Sequence, residues 1–546
     1  MYRLLTFVIG FLFFSYLYIN PYYSLSVPTN RLDEVHKPVK NLNLSKGQDS
    51  NNCRNKLNPT SLLLTLGKMP SESQTQTVII GIIDKGFDWK NQCFFNRDTN
   101  ENRILYIWDQ NGVTQSVSNS EIQYGTEYRH QDIQKAMTMK SKHIPLETGH
   151  GWFISAIAAG DVSIRDRKKI PFWTDFKPTQ PIIMVNSTGK VSDLPDAIAY
   201  IKGKTQQLNA RCVIVFAYSK HSGPHDSEDP YIRRLDSMLD ENTVFVTAAG
   251  NEGTQNIYRS GIISRKANIG FIIDKSKYLS IGNYIPCKIE IEIWSSGHFN
   301  VSLTSPSGNS YGPVLIGKQL GSNSQEGRIQ ISNQLVLKKS KDGRKKLNGA
   351  IISINETNDR TSQSGEWTLT LSHYGNSTRR KQFYRAWITR QSSAEVRFIG
   401  GDSIEKTISL LAYSQKAISV GACDYASDLA ITEASYSNNP GKLPGYCSPR
   451  PDILAPGYVT VAIPGFTDPM EQEGTSVSTA LIARFILYNW SKTPELNASD
   501  FKRLLSGHVV IPISDQVKWI GPSYYSIYTG LSPDLEKKST AKRSKK

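Results

Sequence analysis

Cysteine is scarce in this chain, and its spacing excludes the common metal clusters. The 546 residues contain six cysteines, and no two of them stand in a Cys-x-x-Cys arrangement. Cysteine-bound zinc sites usually need such pairs, so a metal cluster is not expected. An acidic loop with the spacing of a calcium site is missing as well. We therefore predict neither a metal ion nor another cofactor.

The charge pattern lacks the features of a nucleic-acid-binding protein. Sixty-four Lys and Arg residues face 48 Asp and Glu residues, which gives a net charge of +16. The basic residues form no patch interleaved with aromatic residues, and no zinc or helix-turn-helix spacing accompanies them. Part of the excess lies in residues 531–546, which we interpret as a solvated basic tail. We predict no nucleic-acid partner.

The apolar run at the N-terminus is too short to be an unambiguous membrane span. It extends from Leu4 to Ile19, whereas a spanning helix needs about 20 apolar residues. Ser24 and Ser26 are small residues that would suit cleavage after Ser26. Residues 1–26 are therefore either a signal peptide or an N-terminal anchor with possible membrane attachment through residues 4–19. In both cases we expect the protein to be exported.

Apolar strands alternate with helices in two parts of the chain. Continuous apolar runs such as 78–83, 213–217 and 243–248 are typical of strands buried on both faces. Because helical segments separate them, they predict βαβ units and a parallel sheet. Functional groups gather at the carboxyl ends of such strands. Asp84 and Asn251 follow two of these strand ends.

The central part of the chain has a different pattern. Ile289, Ile291 and Ile293 alternate with charged residues, and turn-forming clusters separate several segments of this kind. An apolar residue at every second position is typical of antiparallel strands with one solvated face. We therefore predict a β-sandwich inserted into the α/β part of the chain.

A Gly-Thr-Ser turn at residues 474–476 opens an apolar helix. A serine at a helix N-terminus lies beside backbone N–H groups without intrahelical partners, which favours a nucleophile. Taken alone, the turn is more typical of a helix cap, which is among the commonest uses of Ser and Thr. A nucleophile also needs a base, a group that orients the base, and an oxyanion donor. His150, Asp84 and Asn251 are the candidates for these roles.

Four short blocks resemble the signature motifs of the subtilisin-like serine proteases and occur in that family's chain order. They are Ile82-Ile83-Asp84-Lys85-Gly86, Gly149-His150-Gly151, Ala248-Ala249-Gly250-Asn251 and Gly474-Thr475-Ser476. The stretch from Arg450 to Gly457 adds to the likeness. Segments that begin at Arg103, Tyr124 and Gly223 are similar to the clostridial germination-protease branch, which carries a β-rich insertion.

The resemblance implies an α/β fold, the three-layer parallel-sheet subtilase architecture, with an inserted antiparallel β-sandwich of the jelly-roll kind. The expected organisation has a catalytic domain formed by two segments that flank the sandwich. The segments are a linker or short pro-segment at 27–74, the catalytic domain at 75–263 and 401–530, and the sandwich at 264–400.

The resemblance also implies a serine endopeptidase that acts on protein or peptide substrates. Ser476 would attack the scissile carbonyl, His150 would carry the proton, and Asp84 would orient the imidazole. Asn251 would donate its side-chain N–H to the oxyanion. The substrate backbone would bind along two strand ends, formed by Ala217, Tyr218 and Ser219 and by Ala248, Ala249 and Gly250.

Several residues beside the expected catalytic groups depart from the usual pattern of the family. They are Trp152 and Phe153 after the histidine, Val477 to Leu481 after the serine, Lys85 in place of a small hydroxyl residue, and Ser219 in place of a glycine. Ser219 adds bulk where a peptide would lie, which predicts a changed or narrow substrate preference. The alternative to an active protease is a pseudoprotease with a binding or regulatory role.

Overall fold

The computed structural model describes residues 76–520, except for 114–121, 139–143, 145, 166–170, 173–177, 228, 277–285, 341–342, 357–363, 374–380, 393, 401–406, 426–430, 434–450, 507 and 514–515. The predicted leader or anchor (1–26), the linker or pro-segment (27–74) and the basic tail (531–546) lie outside these residues. Within the described ranges, no helix is long and apolar enough to cross a membrane.

Strands and helices alternate in the first part of the chain. The strands are β1 (Val78–Asp84), β2 (Ile104–Asp109), β3 (Thr126–Arg129), β4 (Ser163–Arg165), β5 (Pro171–Phe172), β6 (Ile182–Asn186), β7 (Arg211–Phe216) and β8 (Thr243–Ala248). The helices are α1 (His130–Thr138), α2 (His150–Ala159), α3 (Leu194–Gln207) and α4 (Pro230–Met238). The apolar runs at β1, β7 and β8 are buried along their whole length apart from the first residue of β7.

Antiparallel strands make up the middle of the chain. They are β9 (Tyr258–Ile263), β10 (Lys266–Asp274), β11 (Lys288–Ser295), β12 (Phe299–Thr304), β13 (Ser310–Val314), β14 (Lys318–Ser324), β15 (Gly327–Ser340), β16 (Gly343–Asn355), β17 (Gly365–His373), β18 (Gln382–Ser392) and β19 (Glu395–Phe398). One sheet has the order β13-β12-β17-β10-β19 and the other β14-β15-β16-β11-β18-β9. The alternating isoleucines of β11 and the apolar residues of β17 share one core between these sheets.

The α/β pattern returns after the sandwich. The elements are β20 (Ile418–Tyr425), β21 (Ile431–Glu433), β22 (Ile453–Pro456), β23 (Tyr458–Ala462), β24 (Met470–Glu473), α5 (Thr475–Lys492), α6 (Ala498–Leu505), β25 (His508–Ile513) and β26 (Gln516–Ile520). Helix α5 is apolar on nearly all sides and is almost entirely buried from Val477 to Leu487. Such a helix needs packing partners all round, which the sheet and α2 provide.

One large sheet unites the first and last parts of the chain. Its order is β26-β25-β22-β20-β8-β7-β1-β6-β2-β3, with β21 paired to β20, and the ladders from β2 to β25 are parallel. Helices α3 and α4 cover one face, whereas α2 and α5 pack on the other. The predicted fold class, a layered parallel α/β sheet with an inserted antiparallel β-sandwich, is confirmed. The predicted domain boundaries remain predictions.

The order of strands places the carboxyl end of β1 at a change of direction. The chain adds β6 to one side of β1 and β7 to the other, so the connections leave on opposite faces of the sheet. A crevice opens at such a point, and open α/β sheets bind their ligands there. Asp84 is the last residue of β1 and therefore lies at this crevice.

The sandwich holds the segment that follows β7. Glu292 of β11 accepts a hydrogen bond from the Gly223 N–H (2.7 Å). The His225 ring stacks on the Trp387 ring of β18, with centroids 4.2 Å apart and planes 5° from parallel. Burial lowers the pKa of His225 well below its usual value, so this ring is neutral. The sandwich thus contacts Gly223 and His225, which follow the strand end at residues 217–219.

Candidate active site

Asp84 and His150 meet at the carboxyl end of β1. The fully buried Asp84 carboxylate lies 2.9 Å (Oδ1) and 3.0 Å (Oδ2) from Nδ1 of His150. A carboxylate can only accept a hydrogen bond, so Nδ1 carries the imidazole proton. Nε2 of the neutral ring is therefore unprotonated and can act as a base. This is the tautomer that a proton acceptor beside a serine requires.

Two glycines let α2 begin close to the end of β1. Gly86 has a φ of +78°, and a Cβ there would meet the Gly149 backbone nitrogen at 2.6 Å. A Cβ on Gly151 would lie 2.9 Å from the Asp84 Cβ. The Gly151 N–H donates to the Lys85 carbonyl (2.9 Å), which fixes the first turn of the helix. Larger residues at Gly86 or Gly151 would push His150 away from Asp84.

A buried arginine joins α2 to α5. Arg484 of α5 donates from Nη1 to the carbonyls of Ile157 (3.0 Å) and Gly160 (2.8 Å). These carbonyls lie at the C-terminus of α2, where a positive charge is favourable. Burial lowers the pKa of Arg484 to about 9, which leaves the group charged at neutral pH. The helix of His150 and the helix of Ser476 are held together at this point.

Ser476 is the second residue of α5, directly after the turn at Gly474 and Thr475. Its half-buried side chain donates a hydrogen bond from Oγ to the Ala217 carbonyl (2.7 Å). Among the described residues, no hydrogen bond joins Ser476 to His150. Rotation about one side-chain bond to another staggered rotamer is enough to break the bond to Ala217. Catalytic hydrogen bonds often form fully only in the substrate complex.

Asn251 is anchored to the N-terminus of α5. Its Oδ1 accepts hydrogen bonds from the backbone N–H (2.9 Å) and the hydroxyl (2.9 Å) of Thr475. A backbone N–H can only donate, so this contact fixes which end of the amide is oxygen. Nδ2 then lies beside Gly474, where a Cβ would approach it to 3.2 Å. The amide donor is therefore held at the positive end of the helix.

The charge of Asp84 sets the proton affinity of His150. Burial alone would lower the pKa of the imidazole, but the Asp84 carboxylate and its hydrogen bond raise it by more, so the net pKa lies above its usual value. About a quarter of the His150 side chain remains exposed, which keeps the ring accessible from the crevice.

Tyr218 also contacts the Asp84 carboxylate. Its hydroxyl donates to Oδ1 (2.9 Å), and its ring lies against the His150 ring with centroids 5.2 Å apart. The sequence predicts Tyr218 only as a substrate-binding residue. The only hint in the sequence that Tyr218 has a second role is Lys85. The family usually has a hydroxyl residue at that position, and Lys85 supplies no hydroxyl. Tyr218 and Asp84 are 134 positions apart in the sequence, so no local pattern reveals their hydrogen bond.

The unusual residues beside His150 and Ser476 are buried in the protein. Trp152 and Phe153 are 1% and 5% exposed, and Trp152 packs against Phe466 with ring centroids 5.1 Å apart. The side chains from Val477 to Leu481 are buried as well, and Ser478 donates to the carbonyls of Ala455 and Pro456. Lys85 is exposed. The departures in α2 and α5 therefore change the buried packing of these helices, whereas Lys85 does not.

Two of the remaining predicted substrate-binding residues, Ala217 and Gly250, contact the first turn of α5. Ala217 contacts the serine hydroxyl, and the Gly250 N–H donates to the Thr475 hydroxyl (3.2 Å). Ala248 and Ala249 are buried, and the Ala249 N–H and carbonyl bond to Val420 and Ser409. Ser219 is half-buried next to Tyr218. The substrate-binding role of these residues stays a prediction.

No group of three or more His, Cys, Asp or Glu side chains in the described ranges is arranged to hold a metal ion. The cysteines at positions 93, 212, 287 and 423 are buried.

A family model described as the subtilase family matches residues 75–510. The chain belongs to the subtilase family. The match confirms the predicted family and the predicted enzyme class, a subtilisin-like serine endopeptidase. No curated protein matches the chain.

Several solved structures match this subtilase. The CspB protease of Clostridium perfringens is 18% identical with a TM-score of 0.58, and the match covers 78% of this chain and 85% of that one. Sphericase is 10% identical with a TM-score of 0.31, covering 79% and 84%. The subtilase cytotoxin SubAB assembly is 13% identical with a TM-score of 0.32, covering 82% and 86%. The first of these likenesses supports the fold.

Removing the Asn251 donor should impair turnover more than binding. Asn251→Asp keeps an oxygen for the Thr475 N–H but loses the amide N–H and adds a negative charge. We expect kcat to fall by about a hundred- to a thousandfold, the loss known for such a donor in subtilisin, with KM nearly unchanged. Steady-state kinetics and thermal unfolding of both proteins measure this. An unchanged kcat in a stable variant would exclude Asn251 from the oxyanion site.

Proposed function

We propose that this subtilase hydrolyses peptide bonds with Asp84, His150 and Ser476 as a catalytic triad and Asn251 as an oxyanion donor. The observation that carries the proposal is the contact between the Asp84 carboxylate and Nδ1 of His150. This contact leaves the basic Nε2 facing away from the carboxylate. The N-terminus of α5 lies at the same end of the sheet. Substrates are proteins or peptides.

In the proposed reaction, Ser476 Oγ attacks the scissile carbonyl while His150 Nε2 takes the hydroxyl proton. Asp84 stabilises the imidazolium that results. The oxyanion accepts hydrogen bonds from Asn251 Nδ2 and from the Ser476 N–H, one of the first helical N–H groups without an intrahelical partner. His150 then protonates the leaving amine. A water molecule, activated by the same imidazole, hydrolyses the acyl-enzyme.

The substrate would lie in extended form along residues 217–219 and 248–250. Main-chain hydrogen bonds of an added strand supply affinity, and side-chain pockets supply specificity. Ser219 brings a side chain to the first of these segments. We propose that it narrows the residues accepted there.

A pseudoprotease that binds peptides without cutting them is the second candidate. The bond between the Ser476 hydroxyl and the Ala217 carbonyl favours it, because this bond engages the hydroxyl proton with a backbone carbonyl and not with His150. A change of one Ser476 rotamer breaks that bond, and the contact between Asp84 and His150 Nδ1 holds the imidazole in the tautomer that a base requires. We therefore propose the active enzyme.

We also propose that the protein is exported, with residues 1–26 as signal peptide or anchor. The catalytic domain would comprise residues 75–263 and 401–530 around the sandwich at 264–400. Residues 27–74 would link the leader to β1.

Proteolysis of a mixture of denatured proteins tests the proposed function. Mass spectrometry should find new peptide termini with the wild type and none with a folded Ser476→Ala control. The rate should fall as pH decreases through a value above 6.5, because His150 must be neutral to accept a proton and its pKa is raised. If the wild type and Ser476→Ala give the same set of termini, Ser476 cleaves nothing in the mixture, and the pseudoprotease is supported.

A further inference from the structure

The Asp84 carboxylate accepts hydrogen bonds from other donors besides His150. Oδ1 accepts hydrogen bonds from the Lys85 N–H (2.7 Å), the Tyr218 hydroxyl (2.9 Å) and His150 Nδ1 (2.9 Å). Oδ2 has His150 as its partner at 3.0 Å. A fully buried carboxylate is stable only when donors satisfy it. The Lys85 side chain is exposed and has no hydroxyl, and within the described ranges the side-chain hydroxyl that donates to this carboxylate is that of Tyr218.

We propose that Tyr218 is a positioning residue of the triad, which orients the Asp84 carboxylate and shares its negative charge through the phenolic hydroxyl. This inference rests on the proposed role of Asp84 and His150. It gives Tyr218 a function different from the substrate contact that its place in the chain predicts.

The hydroxyl acts on His150 through Asp84. Because a donor on Oδ1 withdraws charge from the carboxylate, the imidazolium beside it is stabilised less strongly. Without the hydroxyl, the full charge faces His150, and the ring binds its proton more tightly. Among the residues that the structure describes, the groups in contact with this ring that carry a charge or an ionisable proton are Asp84 on β1 and Tyr218, and Lys85 follows Asp84 with an exposed side chain. Loss of the hydroxyl should therefore move proton release from His150 to higher pH.

The same segment contacts both ends of the triad. The Ala217 carbonyl accepts a hydrogen bond from the Ser476 hydroxyl, and the hydroxyl of the next residue, Tyr218, donates a hydrogen bond to Asp84. The segment is anchored on the other side, where the Lys220 N–H donates to Ser409 Oγ (2.9 Å). The strand end that would receive substrate thus also spaces the serine and the aspartate.

The test compares Tyr218→Phe with the wild type. Phenylalanine keeps the ring against His150 and removes the hydroxyl alone. We expect kcat to fall about tenfold, as for loss of a hydrogen bond to a charged group, with KM unchanged. The acid limb of the kcat/KM profile should move up by about half a pH unit. Tyr124→Phe is the matched control, because it removes a tyrosine bond to another carboxylate, Asp196 (3.2 Å).

A titration of His150 by NMR in the Ser476→Ala background separates this inference from the proposed function. If adding Tyr218→Phe raises the His150 pKa but the wild type cleaves nothing, the positioning role stands and the protease proposal fails. If the wild type cleaves and Tyr218→Phe changes only KM, Tyr218 is a substrate contact and the inference is wrong. A profile and a titration that match those of Tyr124→Phe would also overturn it.

Discussion

Replacing Ser476 by alanine should lower kcat about a millionfold, the size of the loss on removing the nucleophile of subtilisin. Alanine removes only Oγ, so attack on the carbonyl stops while the binding segments stay in place. The helix should tolerate the change because alanine has the highest helix propensity. The hydrogen bond lost to the Ala217 carbonyl is a modest cost, about 1 kcal/mol. We therefore expect KM and thermal stability to change little.

Ser478→Ala is the matched control for this experiment. Ser478 lies two residues further along α5, and its buried hydroxyl donates to the carbonyls of Ala455 and Pro456. Its loss should reduce the free energy of unfolding and leave kcat within a few-fold of the wild type. Equal losses of kcat in both variants would show that the helix, and not the Ser476 hydroxyl, determines turnover.

Replacing His150 by alanine should have a similar effect, because serine is a weak nucleophile without its base. The more specific expectation concerns the double variant, His150→Ala with Ser476→Ala. Groups that act as one unit are not additive, so the double variant should be about as slow as either single variant. Single-turnover assays at a fixed pH measure the three rates.

His130→Ala provides the control for the histidine. His130 begins α1 and bonds to the Ile104 carbonyl (2.9 Å), outside the proposed triad. Its replacement should leave kcat unchanged. If the two losses at His150 and Ser476 multiplied in the double variant, the residues would be acting independently, and the triad assignment would have to be given up.

Much of the fold could be predicted from the periodicity of apolar residues. The runs at β1, β7 and β8 are long, continuous and bounded by turns, and the isoleucines of β11 alternate regularly. The continuous runs indicate strands buried on both faces, and the alternating run indicates a strand buried on one face. The boundaries depend on pairing between distant strands. For example, β9 pairs with β18 in the sandwich sheet, although it precedes the predicted start of that domain.

The candidate site was predictable only in part. The resemblance indicates Asp84, His150 and Ser476 by motif, and the structure brings the first two into contact. The bonds of Tyr218 to Asp84 and of Ser476 to Ala217 were not predictable, because they join side chains to distant parts of the chain. The sequence marks Trp152 and Val477 as departures from the family pattern but does not show which way they face, and in the structure both are buried.

Labelling with a fluorophosphonate probe tests the central claim most directly, because the probe reacts with an activated serine and needs no knowledge of the substrate. The wild type should gain one adduct, located on Ser476 by peptide mass spectrometry. Ser476→Ala should gain none, and His150→Ala should react far more slowly. If correctly folded wild type stays unlabelled while a control subtilase is labelled in the same tube, this chain is a binding protein with a protease fold.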